Sequence, residues 1–161
     1  MSPAPASDRT DRRAQLEQQH TALSLTRFDL ADAWTLGSWV VERALTAGHH
    51  IAVDIRRPGH VLFHAALPGA TPDNDQWIAQ KSTACLRLET ATALLALRFA
   101  EAGLDPLRGW LPEGALAAGG SVPVRVDGVG VVAALTVSGL ASDEDHDLAV
   151  AAIEALRESQ A

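Results

Sequence analysis

Residues 121–137 constrain the fold more than any other stretch. Ser121 to Val126 reads as a strand, Asp127-Gly128 suits a tight hairpin turn, and Val129 to Val137 is an apolar run. Two strands joined by so short a turn pair antiparallel. The second, apolar along its length, belongs at the centre of a sheet. A second hairpin lies upstream. In His50 to Arg56 the residues Ile51, Val53 and Ile55 alternate onto one face, Arg57-Pro58-Gly59-His60 turns the chain, and Val61 to Leu67 returns it.

Helical patterns fill the rest. Asp11 to Leu23 reads as a short polar helix. Leu30, Ala33, Trp34, Gly37, Val40, Val41, Ala44 and Leu45 recur at spacings of three and four, a single apolar stripe. Asp29 can cap that helix and Gly48 can end it. Pro68 to Pro72 is a loop. Asp73 opens a helix carrying Trp77, Ile78, Lys81, Cys85 and Leu88, and a further helical stretch runs from Thr90 to Ala102 with Gly103 as its stop. The pattern leaves open one kinked helix or two. Leu104 to Ala118 reads as a helical turn and loop, broken by Pro106 and Pro112. Ser142 followed by Asp145 resembles a capping box ahead of a last helix that buries Ala149, Ala152, Ile153 and Leu156. Hairpins separated by helices indicate an α+β fold with an antiparallel sheet.

A chain of 161 residues suggests one domain. Met1 to Ser7, rich in Pro, Ala and Ser, reads as a disordered tail; the domain is placed at residues 13–159, with 1–12 as the tail. No apolar run is long enough to span a bilayer, and Met1 to Arg13 lacks the apolar core of a signal peptide, so a cytoplasmic location is expected. The formal net charge is −7. Arg12-Arg13 and Arg56-Arg57 are the nearest approaches to a basic patch, so neither nucleic acid nor an anionic membrane is an expected partner. A local pocket for a small anion stays open. The single cysteine, Cys85, allows no intrachain disulfide and reads as a small buried residue.

Three segments could carry chemistry. Val137-Ser138-Gly139-Leu140 runs from a strand through a glycine turn to a helix N-terminus, an arrangement that suits an anion or simply a permissive connection. Gly119-Gly120 before a strand allows a sharp bend or close backbone approach, without the pattern of a P-loop or a dinucleotide fingerprint. In Asp73-Asn74-x-x-Trp77-Ile78-x-x-Lys81, Trp77 and Lys81 share a helical face. Asp73 can cap the helix, and Lys81 is either solvated or turned into a cleft to pair with a ligand carboxylate. Asp145 and His146 open the last helix. The dipole there favours the carboxylate and a neutral imidazole, which makes His146 the one metal-ligand or base candidate. His60 and His64 are placed on one face of a strand, too far apart along it for a two-histidine metal site. Ser138 lacks the Gly-x-Ser-x-Gly elbow of a hydrolytic triad.

Taken together, Asp73-Asn74-x-x-Trp77-Ile78-x-x-Lys81, Gly119-Gly120-x-x-Pro123, Val137-Ser138-Gly139-Leu140 and Asp145-His146 resemble the signature of a bacterial and fungal branch of the GlcG/HbpS-like, heme-degrading-domain family. The resemblance spans Phe28 to the last helix. It implies a profilin-like three-layer α/β/α fold with an antiparallel sheet, homo-oligomers built from dimers, and heme as a ligand of some relatives. The ligand-binding candidates are then Lys81, Gly119, Gly120, Ser138, Gly139, Asp145 and His146, with Asp73, Asn74 and Trp77 as structural motif residues. Three functions stay open: a binder of heme or another small anion, a non-enzymatic oligomeric adaptor, and an enzyme acting on a small metabolite.

Overall fold

A computed structural model describes residues 6–106 and 114–161. The chain runs α1 (Ala6–Ala22), α2 (Leu30–Ala47), β1 (Ala52–Arg57), β2 (His60–Ala66), α3 (Pro72–Leu88), α4 (Thr92–Glu101), β3 (Ser121–Val126), β4 (Gly130–Ser138) and α5 (Ser142–Ser159). The four strands form one antiparallel sheet in the order β2-β1-β4-β3. Both expected hairpins are present, and β4 takes a central position. Pro123, which has no N–H to donate, sits in the edge strand β3, where that deficit is tolerated.

The sheet is covered on both faces. Val53, Ile55, Val122, Val124, Leu135 and Val137 meet Ala33, Leu36 and Val40 of α2 and Ala149, Ala152 and Ile153 of α5 in the main core. The opposite face is more polar. Asp54 pairs with Thr136, and Thr136 with Ser121, beneath α3. The Ser121 and Thr136 hydroxyls bond at 2.9 Å, which satisfies groups that would otherwise be buried at a cost. Helices on both faces make the three layers that the resemblance implied.

Local chemistry explains the helix limits. Asp29 Oδ1 accepts the Asp32 N–H and Asp32 Oδ2 accepts the Asp29 N–H, a reciprocal cap whose loss would cost about 1 kcal/mol. Gly48, at φ 71°, ends α2 in the left-handed conformation. Elsewhere the structure corrects the expectations. Trp34 lies on the margin of the α2 stripe and is 68% exposed, with Leu30 and Leu45 also outside the core, while Leu36 is buried. Residues 6–12, expected in a disordered tail, form the first turns of α1. Of the two alternatives left open for the stretch after Asp73, the structure has two helices, separated where Glu89 takes φ 49°. Thr71, not Asp73, is the N-cap of α3, with Pro72 in its first turn and Asn74 Oδ1 accepting the Thr71 N–H. At α5 the N-cap is Ala141, whose N–H bonds the Glu144 carboxylate. Asp145, expected in that capping box, instead accepts the Leu140 N–H. In the reading of Leu104 to Ala118 as a turn and loop, residues 107–113 lie outside the described residues.

Candidate functional site

The site grows from the buried lysine of α3. The steps from Asp73 to Trp77 and Trp77 to Lys81 each span one helical turn, so the three share a face. That face meets the ends of β3 and β4 and the start of α5. Lys81 is 1% exposed. Its Nζ donates to the carbonyls of Val137 at 2.6 Å and Gly119 at 3.1 Å, and lies 3.5 Å from Asp145 Oδ2. An ammonium has three N–H groups, and three oxygens surround this one. The lysine is therefore a tie between β4, the segment before β3, and α5.

The glycines of the signature fit around this tie. Gly120 takes φ 136°, and a Cβ there would collide with Lys81 Nζ and the Val137 carbonyl. Gly139 takes φ 142°, and a Cβ there would meet the His50 carbonyl. Each position needs both the conformational freedom and the absent side chain.

Burial dominates the electrostatics. It lowers the Lys81 pKa, opposed by the charge and hydrogen bond of Asp145. It raises the Asp145 pKa from 3.8 to about 6, against the pull of Lys81 and the Leu140 and Gly139 N–H groups. Asp145 thus exchanges a proton just below neutral pH.

Above the tie lies an open cleft of about 490 Å³, lined by Asp73, Asn74, Trp77 and Lys81 from α3, Ala118 and Gly119, Ser138, Gly139 and Leu140, and Ser142 and Asp145 from α5. Asn74 Nδ2 donates to Ser138 Oγ at 3.3 Å, and Trp77 Nε1 donates to Asp73 Oδ2 at 3.2 Å. The first turns of α3 and α5 both border the cleft, so the positive ends of two helix dipoles converge on it, offset in part by the carboxylates of Asp73 and Asp145 in its wall. Gly120 stands behind the wall, against Lys81.

His146 does not join them. It is fully buried on the other side of α5, where its Nε2 bonds Gln19 Oε1 of α1 at 2.8 Å. Burial lowers its pKa to about 4, with the Arg12 charge adding to the effect, so the ring is neutral. Among the described residues no group of three or more His, Cys, Asp or Glu is placed to hold a metal ion. Cys85 is fully buried and its thiol is pushed up to about 12 by burial.

A second buried polar cluster escaped the sequence reading. Asp54 is wholly buried in β1; Arg56 donates to it at 2.6 and 2.8 Å, and His64 Nδ1 lies 2.9 Å away. His64 Nε2 faces Asp75 of α3 at 3.2 Å. His60 instead bonds Arg57 at 3.1 Å. The expectation that His60 and His64 share a face rested on strict alternation. The register shifts between them, with Arg56 opposite Val61 and Ile55 opposite Phe63, so one extra residue breaks the parity. The signal available in the sequence was Asp54 itself, set between Val53 and Ile55.

A four-stranded antiparallel sheet between helical layers, with a glycine-framed polar cleft at one end, defines a small α+β domain. The chain belongs to the HbpS-like family, whose model, described as haem degrading protein HbpS-like, matches residues 28–154. UPF0303 protein SCO2848 of Streptomyces coelicolor is 47% identical over 156 residues, covering 96% of this chain and 97% of that protein. Among solved structures, Ybr137w protein superposes with a TM-score of 0.82 at 28% identity, covering 94% of this chain and 91% of that one. A PduOC:heme complex superposes with a TM-score of 0.67 at 26% identity, covering 80% and 94%. Among the described residues no helix is long and apolar enough to cross a membrane.

Proposed function

We propose that this protein binds a small anionic ligand in the cleft between the first turns of α3 and α5. The observation that carries the reading is the convergence of two helix N-termini, the Asn74 amide and the Ser138 hydroxyl on one open, polar cleft. Helix N-termini present unpaired N–H groups and a positive dipole end, which suit a carboxylate or phosphate. Lys81, in the cleft wall, contributes its charge but no free N–H group, since all three are already taken. Asp145 sets the pH dependence: below about 6 it is protonated and no longer repels an anion. Calorimetric titration with a panel of small carboxylates and inorganic phosphate at pH 5.5 and 7.5 tests this. The expected result is binding that is tighter at pH 5.5 and weakened about tenfold by Asn74→Ala, the loss of one hydrogen bond to a charged group. Absence of binding at either pH overturns it.

Heme is a second reading, supported by the family's description and by the heme complex of a structural relative. The cleft itself does not fit heme iron, which takes His, Cys, Met or Tyr as its axial ligand. Among the described residues none of these lines the cleft. The chain has no Tyr, one Met and one Cys, so a heme would be held by one of the six histidines, away from the cleft. A hemin titration with no Soret shift removes this reading. Self-association, which the family resemblance implied, is supported by exposed Trp34, edge-on to Phe63 at 5.6 Å beside the sheet edge. A monomeric mass by native mass spectrometry at micromolar concentration excludes it.

A further inference from the structure

α1 is held unlike the other helices. It is strongly polar, and Leu16 is its one buried residue, set against Ala93 and Leu94 of α4. Polar contacts supply the rest of its attachment. Arg12 reaches Asp143 at 3.1 Å and Asp147 at 2.9 Å on α5, Glu17 pairs with Arg98 at 2.7 Å, and Arg13 pairs with Glu101. Exposed pairs of this kind add little each and weaken in salt. The family match begins at residue 28, beyond α1.

Under α1 lies a small, partly open cavity where α1, β3 and α5 meet, bordered by the half-buried Gln19, His20 and Arg125 and the buried His146. Arg125 donates to His20 Nδ1 at 3.2 Å, which requires that nitrogen to be bare. His146 donates from Nε2 to Gln19, and its Nδ1 is buried with no hydrogen-bond partner. Arg12 Nε is likewise buried and unpartnered. Two neutral imidazoles, the half-buried one of α1 and the fully buried one of α5, thus border one cavity with guanidinium groups near them.

We propose that α1 is a detachable strap, closed over His146 at neutral pH and released by protonation of His146 and His20. A proton on either ring places a cation beside Arg125 or Arg12, at a fully buried site for His146 and a half-buried one for His20, where the other facing charges are Asp143 and Asp147 of α5, Glu17 of α1 and Arg98 of α4. Burial and the arginine charge lower the pKa of both rings, His146 from 6.5 to about 4. Release of α1 removes the burial and moves Arg12 away, so the ring regains its ordinary affinity for a proton. The closed form is therefore fully favoured above pH 6.5 and loses ground as the pH falls toward 4.

Hydrogen exchange of the full chain, corrected for intrinsic rates, tests the strap, with β4 amides as the reference for global opening. Between pH 7.5 and 4.5 the opening equilibrium of α1 should rise on the order of a hundredfold while that of β4 does not follow. His146→Asn and His20→Asn should each flatten the response, and either variant suffices if the other fails to fold. An α1 response that is flat with pH in the unaltered protein, or that tracks β4 throughout, or that survives in both variants, overturns the proposal.

Discussion

Asp145 and His146 are consecutive residues of α5 that face separate compartments. The first accepts bonds from the Lys81 cleft and the second turns away to Gln19. Successive helical residues diverge by 100°, so a helix buried over a wide arc can serve two neighbours at once. Their titrations are displaced in opposite directions. Folded Asp145 keeps its proton to about 6 and the free side chain only to 3.8, so between these values stability falls as pH rises. Folded His146 loses its proton above about 4 and the free side chain above 6.5, so over that span stability increases with pH. Each slope is at most about 1.4 kcal/mol per pH unit. The two largely cancel between pH 4 and 6. In His146→Asn, denaturation midpoints should fall with pH across that window; in Asp145→Asn they should rise. Two variant curves parallel to the parent would refute the assignment.

The second prediction separates backbone strain from collision. Gly128 takes φ 73° in open space, and Gly120 takes φ 136° against Lys81. Gly128→Ala should cost about 1 to 2 kcal/mol in urea unfolding, the ordinary cost of a side chain at positive φ. Gly120→Ala adds a clash with the buried ammonium and with the Val137 carbonyl and should cost at least about 3 kcal/mol. Equal losses at the two positions would mean that both the Lys81 side chain and the Val137 carbonyl yield freely.

The third concerns Cys85. Its thiol is buried in α3 and pushed up to about 12, so it holds no useful thiolate at pH 8. A thiol reagent should leave the native protein unmodified at pH 8 and label one site once the protein is unfolded. Labelling of the folded protein at the rate of a small free thiol would contradict the burial.

Strands and hairpins were legible because their periodicity and turn chemistry are local. The α2 limits were equally clear from Asp29 and Gly48. What the sequence hid were the polar residues that leave the surface. Lys81 reads by default as a solvated helix residue, because nothing within α3 supplies its acceptors. They come from Gly119, Val137 and Asp145, between 38 and 64 residues away. The placement of His146 failed for a related reason. Adjacency to Asp145 suggested a shared pocket, yet the buried faces of α5 point toward both the cleft and α1. The bulge in β2 is set by pairing with β1, so parity within β2 alone could not reveal it.

The two-sided burial of the sheet has a consequence for how its strands keep their pairing. In a sheet with one wet face, alternation separates inside from outside. Here it separates two interiors, an aliphatic one under α2 and α5 and a hydroxyl- and carboxylate-bearing one under α3. A slip of β1 by a single residue would carry Asp54, with Arg56 beside it on the same strand, away from His64 and into the aliphatic layer, and leave Val53 or Ile55 facing Asp75. The polar side of the sheet therefore acts as a key cut for one alignment, rejecting neighbouring registers that hydrophobicity alone would tolerate.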